Sequence, residues 1–182
     1  PDILDIPQIG EQDVDSRAVF FEGDYAFTDK WTLTLGGRYS EDEKQSAARG
    51  QVDTSVPSQS GGPVDFAPGL NGDPDDEWDE FTPKIGLKYQ MTDDAMLYAT
   101  WSNGYRSGGF NGEFFGNPYD EETIEQFELG LKSDVVPGRL RFNASVFAFE
   151  MEDLQTSLIE VSSTGQVTSG IVNAPKAERW GA

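Results

Sequence analysis

Hydrophobic residues in this chain recur at every second position, in segments that come in pairs. From Arg17 to Phe27, one set of alternate residues reads Val19, Phe21, Gly23, Tyr25, Phe27, and the other reads Ala18, Phe20, Glu22, Asp24, Ala26. A period of two places the first set on one face of an extended strand and the second, mixed and acidic, on the other. Thr28, Asp29 and Lys30 have turn composition. The pattern then restarts, with Trp31, Leu33, Leu35, Gly37, Tyr39 against Thr32, Thr34, Gly36, Arg38, Ser40. Two strands joined by so short a polar break form an antiparallel hairpin.

The same unit occurs twice more. FTPKIGLKYQ (81–90) and AMLYATWSNGY (95–105) flank a tight break at 91–94, and TIEQFELGLKS (123–133) and RLRFNASVFAFE (139–150) flank another at 134–138. Residues 171–182 open a seventh strand. Between hairpins lie long connections without sustained period, at about 41–80, 106–122 and 153–170. The first ends in the acidic run 71–80. Connections of that length are uncommon in compact domains and are usually functional or disordered.

Composition removes several functions. There is no Cys and no His, which excludes disulfide scaffolds, thiolate or imidazole metal sites and Ser-His-Asp catalysis. With 33 acidic against 13 basic residues, the net charge of −20 argues against nucleic acid as a partner. No P-loop or dinucleotide fingerprint is present, and a glycosidase pair chosen from so many carboxylates carries no weight. We therefore expect no enzyme. No apolar stretch has the roughly 20 residues of a spanning helix, and the first residues do not read as a signal peptide. Spanning by strands is not excluded.

Tight turns at one end of the strands and long loops at the other are the pattern of an outer-membrane β-barrel, apolar outside and polar within. Phe27, Trp31, Tyr39, Tyr89 and Trp101 stand near expected strand ends, where interfacial aromatic girdles lie. A soluble β-sandwich or meander also alternates, but its turn signals do not spare one end. Bacterial single-chain barrels close with an even number of strands, at least about eight. Six strands and part of a seventh therefore read as one stretch of a larger all-β antiparallel barrel.

The segments FTPKIGLKY (81–89), LYATWSNGYRSGGFN (97–111) and ETIEQFELGLK (122–132) resemble TonB-dependent outer-membrane receptors. NAPKAERWG (173–181) resembles the family's next strand, with Pro175 where the family has glycine, and LGGRY (35–39) an earlier one. The resemblance runs from about Ser16 onward, in the order of the C-terminal half of the barrel. It implies a 22-stranded barrel plugged by an N-terminal domain that this chain does not carry. It also implies outer-membrane lipid and the TonB complex as partners, the latter through the missing plug and its TonB box. The cargo would be a scarce ligand such as a ferric siderophore, cobalamin or a saccharide. A passive porin-like or adhesin-type barrel, and a soluble carbohydrate-binding β domain, are the alternatives.

Three groups of residues are candidate sites. Glu22, Asp24, Arg38, Lys84, Lys88, Glu128, Lys132 and Arg141 share the expected lumenal face, for plug contact or ligand steering, or simply as cross-strand pairs in a wet interior. Tyr105, Arg106, Phe110 and Asn111 open the second long connection. There an arginine can grip a carboxylate or phosphate and aromatic rings can stack on a ligand, while a structural role at the barrel rim is the plainer reading. Asp73, Asp75 and Asp76 offer oxygens for Ca²⁺ but lack EF-hand spacing. A solvated acidic loop accounts for them equally, and no other cofactor is expected.

Overall fold

The computed structural model describes residues 8–50, 75–111, 118–161 and 167–182. Seven long strands form one antiparallel sheet: β1 (Gln8–Ala26), β2 (Trp31–Gly50), β3 (Asp75–Thr92), β4 (Ala95–Arg106), β7 (Glu122–Val136), β8 (Leu140–Val161) and β9 (Val167–Gly181). Two short strands, β5 (Gly109–Phe110) and β6 (Pro118–Tyr119), pair with each other inside the connection between β4 and β7. Strand order follows chain order, so each long strand lies beside its neighbours in sequence. The sheet is open, with β1 and β9 each paired on one side only among the described residues.

The three tight breaks become turns at one end, here called the inner end. In the first, the Thr28 hydroxyl oxygen accepts the Trp31 amide. In the last, Gly138 takes a left-handed φ of 69° and Arg139 N donates to Val136 O. A side chain is strained in that conformation, which is why glycine follows Pro137 there.

The two alternating sets separate cleanly. Leu35, Ile85, Trp101, Phe127, Ala148 and Trp180 stand opposite one another from β2 to β9 and form one row across the apolar face. Among the described residues nothing covers that face: Phe21 is 61% exposed, Leu129 54% and Trp180 82%. Among the described residues, Trp78 is the single buried large hydrophobic side chain. A soluble domain of this size would turn these residues inward, so an apolar surface this continuous marks contact with lipid or protein.

The apolar band has a sharp outer edge. Immediately beyond the Trp101 row comes Asn103, Glu125, Glu150, Glu178. Lys176 bridges the last two, with Nζ 2.8 Å from Glu150 and 3.0 Å from Glu178. On β2 and β3 the band continues to Tyr39 and Phe81 before Glu41 and Asp79 end it. The edge therefore climbs across the sheet, as strands tilted to the membrane normal require. Inside the band, at the inner edge, Trp31 meets Tyr89 with tilted rings (4.4 Å between centroids) and stacks with Phe27 (6.3 Å).

The strands outrun their alternation. β2 continues to Gly50, β3 begins at Asp75 and β8 reaches Val161, so the connections expected over 41–80 and 153–170 are largely strand within the described residues. Tyr39 and Trp101 consequently lie within strands rather than at their ends, and Phe27 falls just beyond β1. The reason is physical. Above the band a strand such as Glu41–Ser46 is polar on both alternate sets, Glu41, Glu43, Gln45 and Asp42, Lys44, Ser46, and so has no apolar set to repeat.

An arginine at Leu129, in the middle of the apolar band, is expected to cost about 2–4 kcal/mol when the barrel assembles in a bilayer, and far less at Thr100 on the opposite face. Urea titration of folding into lipid vesicles measures both, and equal costs would refute a lipid-facing band.

Candidate functional site

The other face of the sheet is polar, and its charges are arranged in pairs. Lys84 Nζ lies 2.7 Å from Glu22, although the two residues are two strands apart. Gly36 stands between them in the register, and a Cβ there would sit 3.5 Å from Lys84 Cβ and 3.6 Å from Glu22 Cγ. The bare backbone of Gly36 thus lets the pair close over it. Lys88 reaches Asp24 at 2.8 Å, and Thr34, which is buried, also donates to Asp24. Tyr98 lies flat across Gly130, donates its hydroxyl to Glu128 and carries Lys132 at 5.1 Å from its ring centroid. At the inner end Arg141 binds Asp134 through two nitrogens, at 2.6 and 3.0 Å. Arg38 differs, donating only to the Ser40 hydroxyl, at 3.0 Å. Exposed pairs of this kind contribute about 0.2–1 kcal/mol each, so they hold the wall in register more than they stabilise it.

The connection after β4 is folded over the outer end of this face. Gly108 packs on the Trp78 indole so closely that a Cβ would lie 2.6 Å from its nitrogen, and Gly109 packs equally closely on Tyr119. Lys44 donates to Gly108 O and lies 5.4 Å from the Trp78 ring centroid, and Phe110 meets the same ring at 6.1 Å. Asn111 acts as a clamp: its amide donates to Ile171 O at 2.8 Å and accepts from Ile171 N at 2.6 Å. Gln155 donates to Ser107 O and Asp120 O, while Asn173 donates to Asp120 O and Asp153 O. Asp153 takes a left-handed φ of 52° opposite Pro175, which has no amide to give.

Two groups beyond the apolar band carry shifted ionisation. Burial holds the Lys44 ammonium below the ordinary lysine range, with Asp42 opposing that and Arg106 adding to it. Burial, followed by repulsion from Glu80, Asp79, Asp120 and Asp153, raises the Glu121 carboxyl above the usual carboxylate range.

The expected loop site thus divides. Phe110 and Asn111 are committed to packing and clamping, whereas Tyr105 and Arg106 border a cavity of about 310 Å³ together with Arg38 and Asp42. Trp78, Lys44, Gln155 and Asn173 do as much to fix the loop as its own motif. Only Trp78 had a visible signal, as a lone aromatic in an acidic run. Of the expected calcium ligands, Asp73 lies outside the described residues, while Asp75 and Asp76 begin β3 and Asp76 accepts the Glu77 amide. Among the described residues, no three carboxylates converge as a metal site.

Replacing Asn111 with Ala leaves the Ile171 amide and carbonyl without partners, a cost of about 1–3 kcal/mol, and hydrogen exchange at 169–172 is expected to accelerate. Glu121 holds its proton more tightly in the folded loop than in an unfolded one. Its contribution therefore favours the docked loop at low pH and is lost as pH rises through its raised pKa. Glu121→Gln is expected to slow exchange of residues 107–111 and 118–122 at neutral pH and to blunt the gain on acidification. An unchanged pH profile would contradict that account.

With this geometry in hand, comparison with known proteins is direct. Residues 5–182 match the family model described as TonB dependent receptor-like, beta-barrel. The chain is 28% identical over 99 residues to the ferric-pyoverdine 358 receptor of Pseudomonas putida, covering 53% of this chain and 12% of that protein. It is 24% identical over 146 residues to the metal-pseudopaline receptor of Pseudomonas aeruginosa, covering 80% and 19%. Among solved structures, the ferric yersiniabactin uptake receptor of Yersinia pestis superposes with a TM-score of 0.67 at 21% identity, over 82% of this chain and 22% of that one. The chain thus spans under a quarter of the length of these relatives. Its seven strands, apolar on one face and wet on the other, are part of the wall of an outer-membrane barrel, and the chain belongs to the TonB-dependent receptor β-barrel family of Gram-negative bacteria.

Proposed function

We propose that the protein containing this wall binds a ferric chelate of the siderophore class at its outer end and imports it with energy from TonB. The observation that carries this reading is the placement of a rigidly clamped loop over a polar, charge-paired wall in a chain whose relatives are named as receptors for ferric or metal siderophores. In it, the apolar band meets outer-membrane lipid and the wet face lines the lumen. The pairs made by Lys84, Lys88 and Arg141 keep their parts of that wall hydrated with the charge already matched. The plug and the TonB contact are supplied by parts of the receptor outside this chain. The chemistry is capture and passage, with no bond made or broken by these residues.

Deleting the full-length gene under iron limitation is expected to abolish uptake of at least one radiolabelled ferric siderophore, and the intact gene to restore it. Removing TonB is expected to abolish the same uptake. Uptake that persists without TonB would point to a passive channel instead. Failure of every ferric chelate alongside TonB-dependent uptake of cobalamin or a saccharide would move the substrate class. A chain that stays folded and monomeric in plain buffer would favour a soluble binding domain.

A further inference from the structure

The upper part of the last hairpin leaves the sheet at a single level. The ladder between β7 and β8 ends at Thr123 and Glu152, so beyond that rung β8 keeps a strand on one side only. One residue further, the ladder between β8 and β9 misses a rung. It pairs Glu152 with Lys176 and Leu154 with Ala174, and leaves Asp153 and Pro175 unpaired between them. Asp153 is also the one non-glycine residue with positive φ among the described residues, at 52°. A left-handed residue facing a proline interrupts a strand pair and lets it bend. Above the break, residues 154–161 and 167–174 pair regularly again. Leu158, Ile159, Val161 and Val172 of this upper arm are all exposed, so apolar packing does little to anchor it. What holds it is a set of polar side chains shared with the connection between β4 and β7. Gln155 N donates to the Glu122 carboxylate at 2.7 Å, and the Gln155 side chain donates to Ser107 O and Asp120 O. Asn173 accepts from Asp120 N and donates back to Asp120 O, and Asn111 joins the Ile171 backbone through both of its amide atoms. At a wet surface such bonds are individually weak, because water replaces each one when it opens.

We propose that residues 154–161 and 167–174 form a hinged arm that turns as a unit about Asp153 and Pro175, with Asn111, Gln155 and Asn173 as the latch that sets its rest position. The wall in lipid stays fixed below the hinge, while the arm above it exchanges one latched position for released ones. Because the latch is shared with the connection between β4 and β7, a displacement of that connection is passed to the arm. The device goes beyond the import reading and does not depend on it. Ile159 stands six residues beyond the hinge, about 20 Å at strand rise, so a turn of about 20° moves it about 7 Å.

The test uses the full-length receptor in lipid vesicles, with nitroxide labels on cysteines introduced in pairs. This chain has no cysteine of its own, and any elsewhere in the receptor is replaced by serine. One pair, Asn103 and Ile159, reports the distance from wall to arm by pulsed electron paramagnetic resonance. The other, Thr156 and Val172, stand directly opposite each other within the arm and report its integrity by dipolar broadening. The variant Asn111→Ala/Gln155→Ala/Asn173→Ala is expected to add a second wall-to-arm distance, shifted by about 5 Å or more, with the broadening within the arm unchanged. Gln155→Ala alone, which keeps the other latches and guards against misfolding of the triple variant, is expected to show the same second distance at a smaller fraction. Adding Asp153→Val/Pro175→Val, which returns two ordinary strand residues to the missing rung, is expected to remove it. A triple variant with the wild-type distance distribution overturns the latch. Loss of the broadening between Thr156 and Val172 means that the arm frays instead of turning, and a second distance that survives the restored rung puts the pivot elsewhere. Either result overturns the hinge.

Discussion

The backbone ladder is what this structure depends on. Lipid offers the strands no hydrogen-bond partner, so an amide or carbonyl in the hydrocarbon that is not paired within the protein costs several kcal/mol. The antiparallel pairing that runs in chain order from β1 to β9 meets that demand with nearest neighbours in sequence, its irregularities at 90–92 and 134–136 lying beside the inner turns. Side chains are consequently freed from making a core. One buried large hydrophobic residue among the described positions would be ruinous in water, and in a barrel wall it is sufficient.

With the ladder fixed, the two faces answer to different solvents. The lipid face needs only to be apolar over the thickness of the membrane, and its edge at Asn103, Glu125, Glu150 and Glu178 is one residue row deep. The lumenal face must stay wet while keeping strands in register, and it does so with small residues. Gly36 and Gly130 leave room for Lys84 to reach Glu22 and for Tyr98 to lie across its neighbour strand. A side chain at Gly130 would meet the Tyr98 ring at 2.3 Å, so the glycine and the tyrosine form one joint.

Most of the wall was legible in the sequence because alternation is a direct consequence of two unlike solvents. The hairpins, their tight turns and the separation of Val19, Phe21, Tyr25 from Glu22 and Asp24 follow from period two alone. Legibility stopped where the second solvent stopped. Beyond Tyr39 neither alternate set of β2 is apolar, Glu41, Glu43 and Gln45 on one face and Asp42, Lys44 and Ser46 on the other, so its run to Gly50 left no periodic trace. The loop after β4 was legible as a motif, and its resemblance placed it at the rim. Its clamps were not, because Asn111 to Ile171 and Gln155 to Ser107 join residues far apart in the chain through backbone groups that any sequence supplies. Glycines at 108 and 109 make sense only once Trp78 and Tyr119 are seen against them.

The distribution of charge along the wet face matters more than its total. A net charge of −20 would repel an anionic ligand if it acted from a distance, but salt confines each charge to about 8–10 Å. Within that range Lys84, Lys88 and Arg141 are each matched by a carboxylate, Glu22, Asp24 and Asp134. At the outer end the balance changes sign over a short distance. Glu121 sits among Glu80, Asp79, Asp120 and Asp153, while Arg38 and Arg106 line the cavity that Tyr105 also borders. A wall whose cations are matched in part along its length and whose carboxylates crowd around Glu121 at its outer end carries a field that varies from place to place, so the net charge of the chain does not by itself decide which sign of ligand such a surface admits.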